Sequence, residues 1–219
     1  MIPPLEAKTN EAIHYIMNNI EIEQLKNVMP PFPRHITINE PIKIVDDFLP
    51  EESFFYLQQM MFSPEFHWGY TEGIVNRSED DFQFVHLFYI PELGGQPCSD
   101  HWNLLETTIR KIEELDLKNI VSLYRIKANL RVRTPNIEEH LPYHGDMEHL
   151  NGIDEHWTTS ILYMNTNDGY TKFEEDGSKV ESVANRLVTF PAKMKHLGTS
   201  CTNTKSRVVI NFNYLKPPT

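Results

Sequence analysis

Three side chains in the second half of the chain are of the types that hold a catalytic metal. His144 and Asp146 flank Gly145, and His196 follows fifty residues after Asp146. In an extended segment residues i and i+2 point the same way, so the His144 imidazole and the Asp146 carboxylate can converge on one ion. Gly145 between them lets the backbone bend without steric cost. Two imidazoles and one carboxylate on one face of a divalent metal leave the opposite positions open to reactants. Alone, His-x-Asp says little: the motif is short, the sequence holds ten histidines, and ordinary loop or strand histidines are the plainer reading.

Arg207, eleven residues after His196, opens the run Arg207-Val208-Val209-Ile210-Asn211-Phe212-Asn213-Tyr214. Strand alternation puts Arg207, Val209, Asn211 and Asn213 on one face and Val208, Ile210, Phe212 and Tyr214 on the other. The apolar face must pack, which turns the arginine and the asparagines toward a polar interior. A partly buried arginine needs an anionic partner, and a planar carboxylate matches its fork. A ligand would meet that need, and so would a protein carboxylate such as Glu174.

These residues sit on a region whose pattern is short strands separated by turns. Strands are expected at Ser122–Val132, Thr158–Asn165, Lys172–Glu174, Lys179–Val183, Arg186–Phe190, Lys195–Thr199 and Arg207–Tyr214. Asp168-Gly169 and Asp176-Gly177 read as hairpin turns between them. Many short antiparallel strands at this spacing make a sandwich or a barrel. The first half is different. Residues 1–35 form an N-terminal extension, with a helix near Asn10–Asn27 stopped by Pro30, Pro31 and Pro33. Ile42–Val45 is a strand, Pro50 suits the first position of a helix carrying Phe54, Leu57 and Met61, and Phe82–Tyr89 is a half-buried strand. Trp102, Leu105, Ile109, Ile112 and Leu115 share one face of a helix at about Asp100–Leu115. These aromatic and methionine side chains read as core, with the helices packed outside the strands. No flexible linker divides the halves, so residues 36–219 are expected to form a single domain.

Composition narrows the function classes. A net charge of −11 argues against nucleic acid as the main partner. No apolar run approaches the ~20 residues of a membrane helix, and Met1–Asn10 lacks the order of a signal peptide. Cys98 and Cys201 form no CxxC pair, and a cytoplasmic location with both thiols reduced is expected. Asn76-Arg77-Ser78 is then a chance glycosylation triplet. His149 and His156, in the polar segment 148–157, read as surface histidines. Pro142 between His140 and His144 argues against a helical zinc pair, and Glu174-Glu175-Asp176 reads as a solvated hairpin tip.

Taken in order, the pieces resemble the double-stranded β-helix core of the 2-oxoglutarate/Fe(II) oxygenase superfamily, nearest its prolyl-hydroxylase-like branch. They are Tyr143-His144-Gly145-Asp146, Ile161-Leu162-Tyr163-Met164-Asn165, Gly169-Tyr170-Thr171-Lys172-Phe173, Asn185-Arg186-Leu187-Val188-Thr189-Phe190-Pro191, His196 and Arg207. Val45-Asp46-Asp47-Phe48-Leu49-Pro50 and Phe66-His67-Trp68 extend the likeness weakly to residues 40–215. The resemblance implies a mainly β fold with flanking helices and a jelly-roll core. It implies Fe(II) on His144, Asp146 and His196, and 2-oxoglutarate held at its distal carboxylate by Arg207 and Tyr163. Asn211 matches a polar co-substrate position, although a threonine is the usual residue there, and Asn129 would approach the other end of the co-substrate. Arg131 and Arg133 would face substrate or solvent, with solvent expected for at least one. The reaction implied is hydroxylation of an unactivated C–H bond by dioxygen, with 2-oxoglutarate decarboxylated to succinate. The substrate would be a prolyl or other peptide side chain, an amino acid or a small metabolite. Oligomeric state is left open. A cupin-like metal enzyme of another kind and a catalytically silent binding module stay as alternatives. The first gives no reason for Arg207, and the second would be expected to have lost a ligand.

Overall fold

The computed structural model describes residues 41–73, 81–91, 95–116, 120–147 and 157–216, together with the backbone of 35–39. All of these lie within Pro33–Thr219. In chain order the elements are β1 (His35–Asn39), β2 (Ile42–Asp46), α1 (Glu51–Met61), β3 (Gly69–Glu72) and β4 (Phe82–Tyr89). A 3-10 turn (Trp102–Leu105) runs into α2 (Glu106–Asp116), followed by β5 (Ser122–Val132), β6 (Trp157–Tyr163) and β7 (Tyr170–Phe173). The chain continues through β8 (Lys179–Glu181), β9 (Leu187–Pro191), β10 (His196–Gly198) and β11 (Ser206–Leu215). No described helix is long and apolar enough to cross a membrane.

The strands make two facing sheets, a sandwich as the strand spacing allowed and the jelly-roll that the family resemblance implied. The large sheet has the order β1-β2-β9-β6-β11-β5-β4-β3, and the small one β10-β7-β8. Bridges from Glu139 to Thr199 and from His144 to His196 lay the segment before Asp146 along the free edge of β10. All strand pairs are antiparallel.

Two apolar cores follow from the alternation along the strands. Between the sheets lie Ile161, Tyr163, Phe173, Val188, Phe190 and Val209. On the outer face of the large sheet, Val208, Ile210, Phe212 and Tyr214 pack with Ile126, Ala128 and Leu162 against the helices. The helices contribute Phe54, Leu57 and Met61 from α1, with Leu105 and Ile112 from the 3-10 turn and α2. Burial of each such side chain stabilises the fold by about 1.5–3 kcal/mol. The last strand is therefore pinned by its apolar face, and Arg207, Asn211 and Asn213 are turned inward. Polar ties hold α1 in place: Asn185 exchanges side-chain hydrogen bonds with the backbone of Leu49 at 2.9 and 2.8 Å, and Gln58 donates to the Met164 carbonyl at 2.6 Å.

Several expectations need correction. Asp168-Gly169 is not a hairpin turn, because β6 and β7 belong to different sheets. The Asp168 carboxylate instead accepts from the backbone and hydroxyl of Thr202, tying the crossing loop to the loop before β11. Asp176-Gly177 is the hairpin turn, with Gly177 at φ 69° between the paired β7 and β8. Pro50 caps α1 rather than opening it, and the first turn of the Asp100–Leu115 helix is 3-10. Phe82 is not core: it is 37% exposed at the end of β4, beside Tyr70 and Phe84. β1 and β3 were not foreseen. The Glu174-Glu175-Asp176 tip is exposed as expected. The Asn10–Asn27 helix, the Asn76 triplet, His149 and His156 lie outside the described residues.

Candidate active site

His144 and His196 face each other across the edge of the small sheet. Each backbone N–H donates to the other's carbonyl at 3.0 Å, and the ring centres are 5.1 Å apart. Asp146 continues this line, its N–H donating to the Ala192 carbonyl at 3.2 Å. One ligand atom from each of His144, Asp146 and His196 lies within 4.8 Å of the others. The Nδ1 of His196 is 3.0 Å from the Met194 carbonyl, and that of His144 is 3.4 Å from the Pro142 carbonyl. A carbonyl can only accept, so Nδ1 carries the proton in each ring and Nε2 keeps its lone pair for a metal. Phe190 meets the His196 ring edge-on at 4.8 Å and limits its rotation.

The Asp146 carboxylate is 8% exposed and fully engaged. One oxygen accepts from Arg125 Nη2 at 3.3 Å, the other from Thr159 Oγ1 and Asn213 Nδ2, both at 2.9 Å. Asn213 also accepts from Arg125 Nε at 3.1 Å, which closes the network. Burial pushes the Asp146 pKa up, but His196, Arg125, the Asn213 amide and His144 outweigh it and hold the carboxyl well below the usual range. Asp146 is therefore an anion, as a metal ligand must be.

Arg207 lies at the other end of the cavity and is 5% exposed. Its Nε donates to Ser182 Oγ at 2.8 Å and its Nη2 to Thr171 Oγ1 at 3.2 Å. The guanidinium sits 5.5 Å from the centre of the Tyr163 ring, and the Tyr163 hydroxyl donates to the same Thr171 oxygen at 2.8 Å. Among the described residues no carboxylate pairs with Arg207. Glu174, the candidate partner, lies instead 3.8 Å from Lys195. Gly169 makes room for the arginine stem: a Cβ there would stand 2.7 Å from Arg207 Cδ and 2.5 Å from the Ser200 carbonyl oxygen. Burial raises the Tyr163 pKa above its ordinary value, so the phenol stays a donor.

Between the two ends runs a cavity of about 410 Å³ lined by the triad, Arg207, Asn129 and Asn211. The amide oxygens of Asn129 and Asn211 are buried and have no hydrogen-bond partner among the described residues. Tyr163 contributes through Thr171 and Arg207 rather than as a lining residue. Arg131 is buried and pairs with Asp81 at 2.6 Å, whereas Arg133 is exposed, as expected for one of the two. His140 is buried beside Arg131, 3.4 Å from its Nη2, and is not part of the triad.

Arg125, Lys127, Thr159 and Thr171 were not singled out from the sequence. For Arg125 and Lys127 the signal was the alternation of β5, whose Arg125, Lys127, Asn129 and Arg131 fall on one face and pair in register with Asn213, Asn211, Val209 and Arg207. Thr159 lies opposite Asn213 in the same way on β6.

No family model matches the chain, and no curated protein matches it in sequence. Solved structures do match. A prolyl hydroxylase from Trichoplax adhaerens, in complex with a hypoxia inducible factor peptide, superposes with a TM-score of 0.56 at 12% identity, over 80% of this chain and 83% of that one. A prolyl-4-hydroxylase from Pseudomonas putida gives 0.51 at 14%, over 80% and 92%. The non-heme alpha-ketoglutarate-dependent epimerase SnoN, from nogalamycin biosynthesis, gives 0.54 at 13%, over 80% and 78%. The chain thus has the jelly-roll fold of the 2-oxoglutarate- and iron-dependent oxygenases, prolyl hydroxylases among them.

Proposed function

We propose that the protein is an Fe(II)- and 2-oxoglutarate-dependent dioxygenase that hydroxylates an unactivated C–H bond, its activity carried by residues 36–219 as one domain. In this reading His144, Asp146 and His196 hold the iron, Arg207 and Tyr163 hold the distal carboxylate of 2-oxoglutarate, and Asn211 and Asn129 contact the rest of it. The observation that carries the reading is a buried guanidinium, with no protein carboxylate beside it among the described residues, at the far end of a cavity from three convergent ligands. A buried cation without a counter-ion is costly, and a dicarboxylate ligand would supply the missing charge.

The residues fit the group. Two neutral imidazoles and one carboxylate suit Fe(II), and the donor set leaves positions open toward the cavity. When bound, iron, 2-oxoglutarate and dioxygen supply C–H hydroxylation coupled to decarboxylation of 2-oxoglutarate to succinate. The chain's own part is positional. Arg125, Thr159 and Asn213 fix the Asp146 carboxylate; the Pro142 and Met194 carbonyls set the tautomers of His144 and His196; Ser182 and Thr171 aim Arg207. Cys98 and Cys201 are free thiols, in keeping with a cytoplasmic location. The similar structures include an epimerase as well as hydroxylases, so hydroxylation rests on the prolyl-hydroxylase likeness of the sequence motifs. The direct test is release of labelled carbon dioxide from 2-oxo[1-14C]glutarate with Fe(II) and air. Release that requires iron and is lost in His196→Ala supports the reading; release equal in wild type and variant would refute it.

A further inference from the structure

The cavity is strongly cationic within an acidic protein. Arg125, Lys127, Arg131 and Arg207 all line it, and Asp146 is the one carboxylate among the described lining residues. Three of the four cations have a partner, given the proposed function on which this inference rests. Arg131 has Asp81, Arg207 would have the distal carboxylate of 2-oxoglutarate, and Arg125 shares Asp146 with the metal. Lys127 has no ion pair or hydrogen bond among the described residues.

Its position makes this consequential. Lys127 is half-buried on the inward face of β5, opposite Asn211 on β11 and Leu87 on β4. Arg125 is its neighbour two residues back on the same face, so two cations stand together beside the ligand triad. The charged groups acting on Lys127 are Arg125 and Asp146, and burial together with Arg125 draws its pKa down to about 8. A lysine serving only as a spacer could reach water with its head; this one keeps a charged end inside the cavity at a cost.

We propose that Lys127, with Arg125 beside it, recognises an oxyanion of the substrate, a carboxylate or a phosphate, so that the substrate is a small organic acid rather than an uncharged prolyl side chain. The anion would compensate Lys127 as 2-oxoglutarate compensates Arg207, and would anchor the substrate so that its C–H bond lies near the metal.

The test uses full-length protein loaded with Mn(II) and saturating 2-oxoglutarate. The relaxation rates of acetate protons and of inorganic phosphate phosphorus are measured, with acetamide as the uncharged control. The proposal requires saturable enhancement for acetate or phosphate but not for acetamide, and the responding anion tells carboxylate from phosphate. The enhancement should weaken about tenfold or more in Lys127→Met and persist in Lys127→Arg, with 2-oxoglutarate affinity in both within about twofold of wild type. Equal enhancement for acetamide, or enhancement unchanged in Lys127→Met, would overturn the substrate class and leave the oxygenase reading standing. A tenfold loss of 2-oxoglutarate affinity in Lys127→Met would reassign Lys127 to the co-substrate and overturn the proposal. Failure of 2-oxoglutarate to bind wild type would remove the oxygenase reading and this proposal together.

Discussion

Replacing Arg207 with methionine separates a ligand-binding arginine from a structural one, because the two roles give effects of opposite sign. Methionine fills much of the same volume without the charge. In the protein free of metal and 2-oxoglutarate, the substitution removes two hydrogen bonds, to Ser182 at 2.8 Å and Thr171 at 3.2 Å. Each contributes about 1 kcal/mol net. It also removes a buried cation with no carboxylate partner among the described residues, whose desolvation costs several kcal/mol. The unfolding free energy of the apo-protein, measured in urea, should therefore stay level or rise by up to about 2 kcal/mol. The same change should weaken 2-oxoglutarate binding by about 3 to 4 kcal/mol, roughly 150- to 800-fold, since it deletes a charge-assisted fork to a carboxylate. Calorimetric titration of the Mn(II)-loaded protein reads this directly. A loss of about 3 kcal/mol or more of apo stability, with 2-oxoglutarate affinity intact, would mean that Arg207 is one half of a buried structural ion pair, and the reasoning would fail.

Gly169→Ala should act on the same site from beneath. Its Cβ would meet the Ser200 carbonyl at 2.5 Å, Arg207 Cδ at 2.7 Å and Asn167 Oδ1 at 2.8 Å. Overpacking of this kind costs about 1–3 kcal/mol, and the displaced arginine should weaken 2-oxoglutarate binding; thermal melts and the titration used for Arg207→Met would both have to be unchanged to contradict this. His140 predicts an acid-sensitive fold. Burial, then Arg131 and Arg207, against the opposing pull of Asp81, depress its pKa to about 4. Because the unfolded chain takes up the proton near pH 6.5, the stability from a neutral His140 is full above that pH and is lost on acidification toward pH 4. Between pH 7 and pH 5 wild type should lose about 2 kcal/mol more than His140→Gln; parallel pH profiles in urea denaturation would exclude the idea.

The sequence carried most of the β core, for a physical reason. In β11 and β5 one face is apolar and the other polar, so period-two alternation fixes both the strand and the direction of each side chain. The triad was legible through the same rule, His144 and Asp146 being two apart. The elements that escaped lack such a contrast: β3 (Gly-Tyr-Thr-Glu) is short and mostly exposed at a sheet edge. Asp168-Gly169 misled because the same dipeptide that makes a hairpin can make a crossing between sheets. There the glycine is required by the Arg207 stem rather than by a turn. Lys127, Arg125 and Thr159 were hidden because their meaning depends on cross-strand neighbours, and register cannot be read from one strand at a time.

The central claim is that His144, Asp146 and His196 hold Fe(II) in a form that 2-oxoglutarate chelates. The most direct measurement is the visible spectrum of apo-protein mixed anaerobically with Fe(II) and 2-oxoglutarate. The account predicts a weak charge-transfer band that needs both additions and disappears in His144→Ala and His196→Ala. No band in wild type, or a band that survives both substitutions, would contradict it.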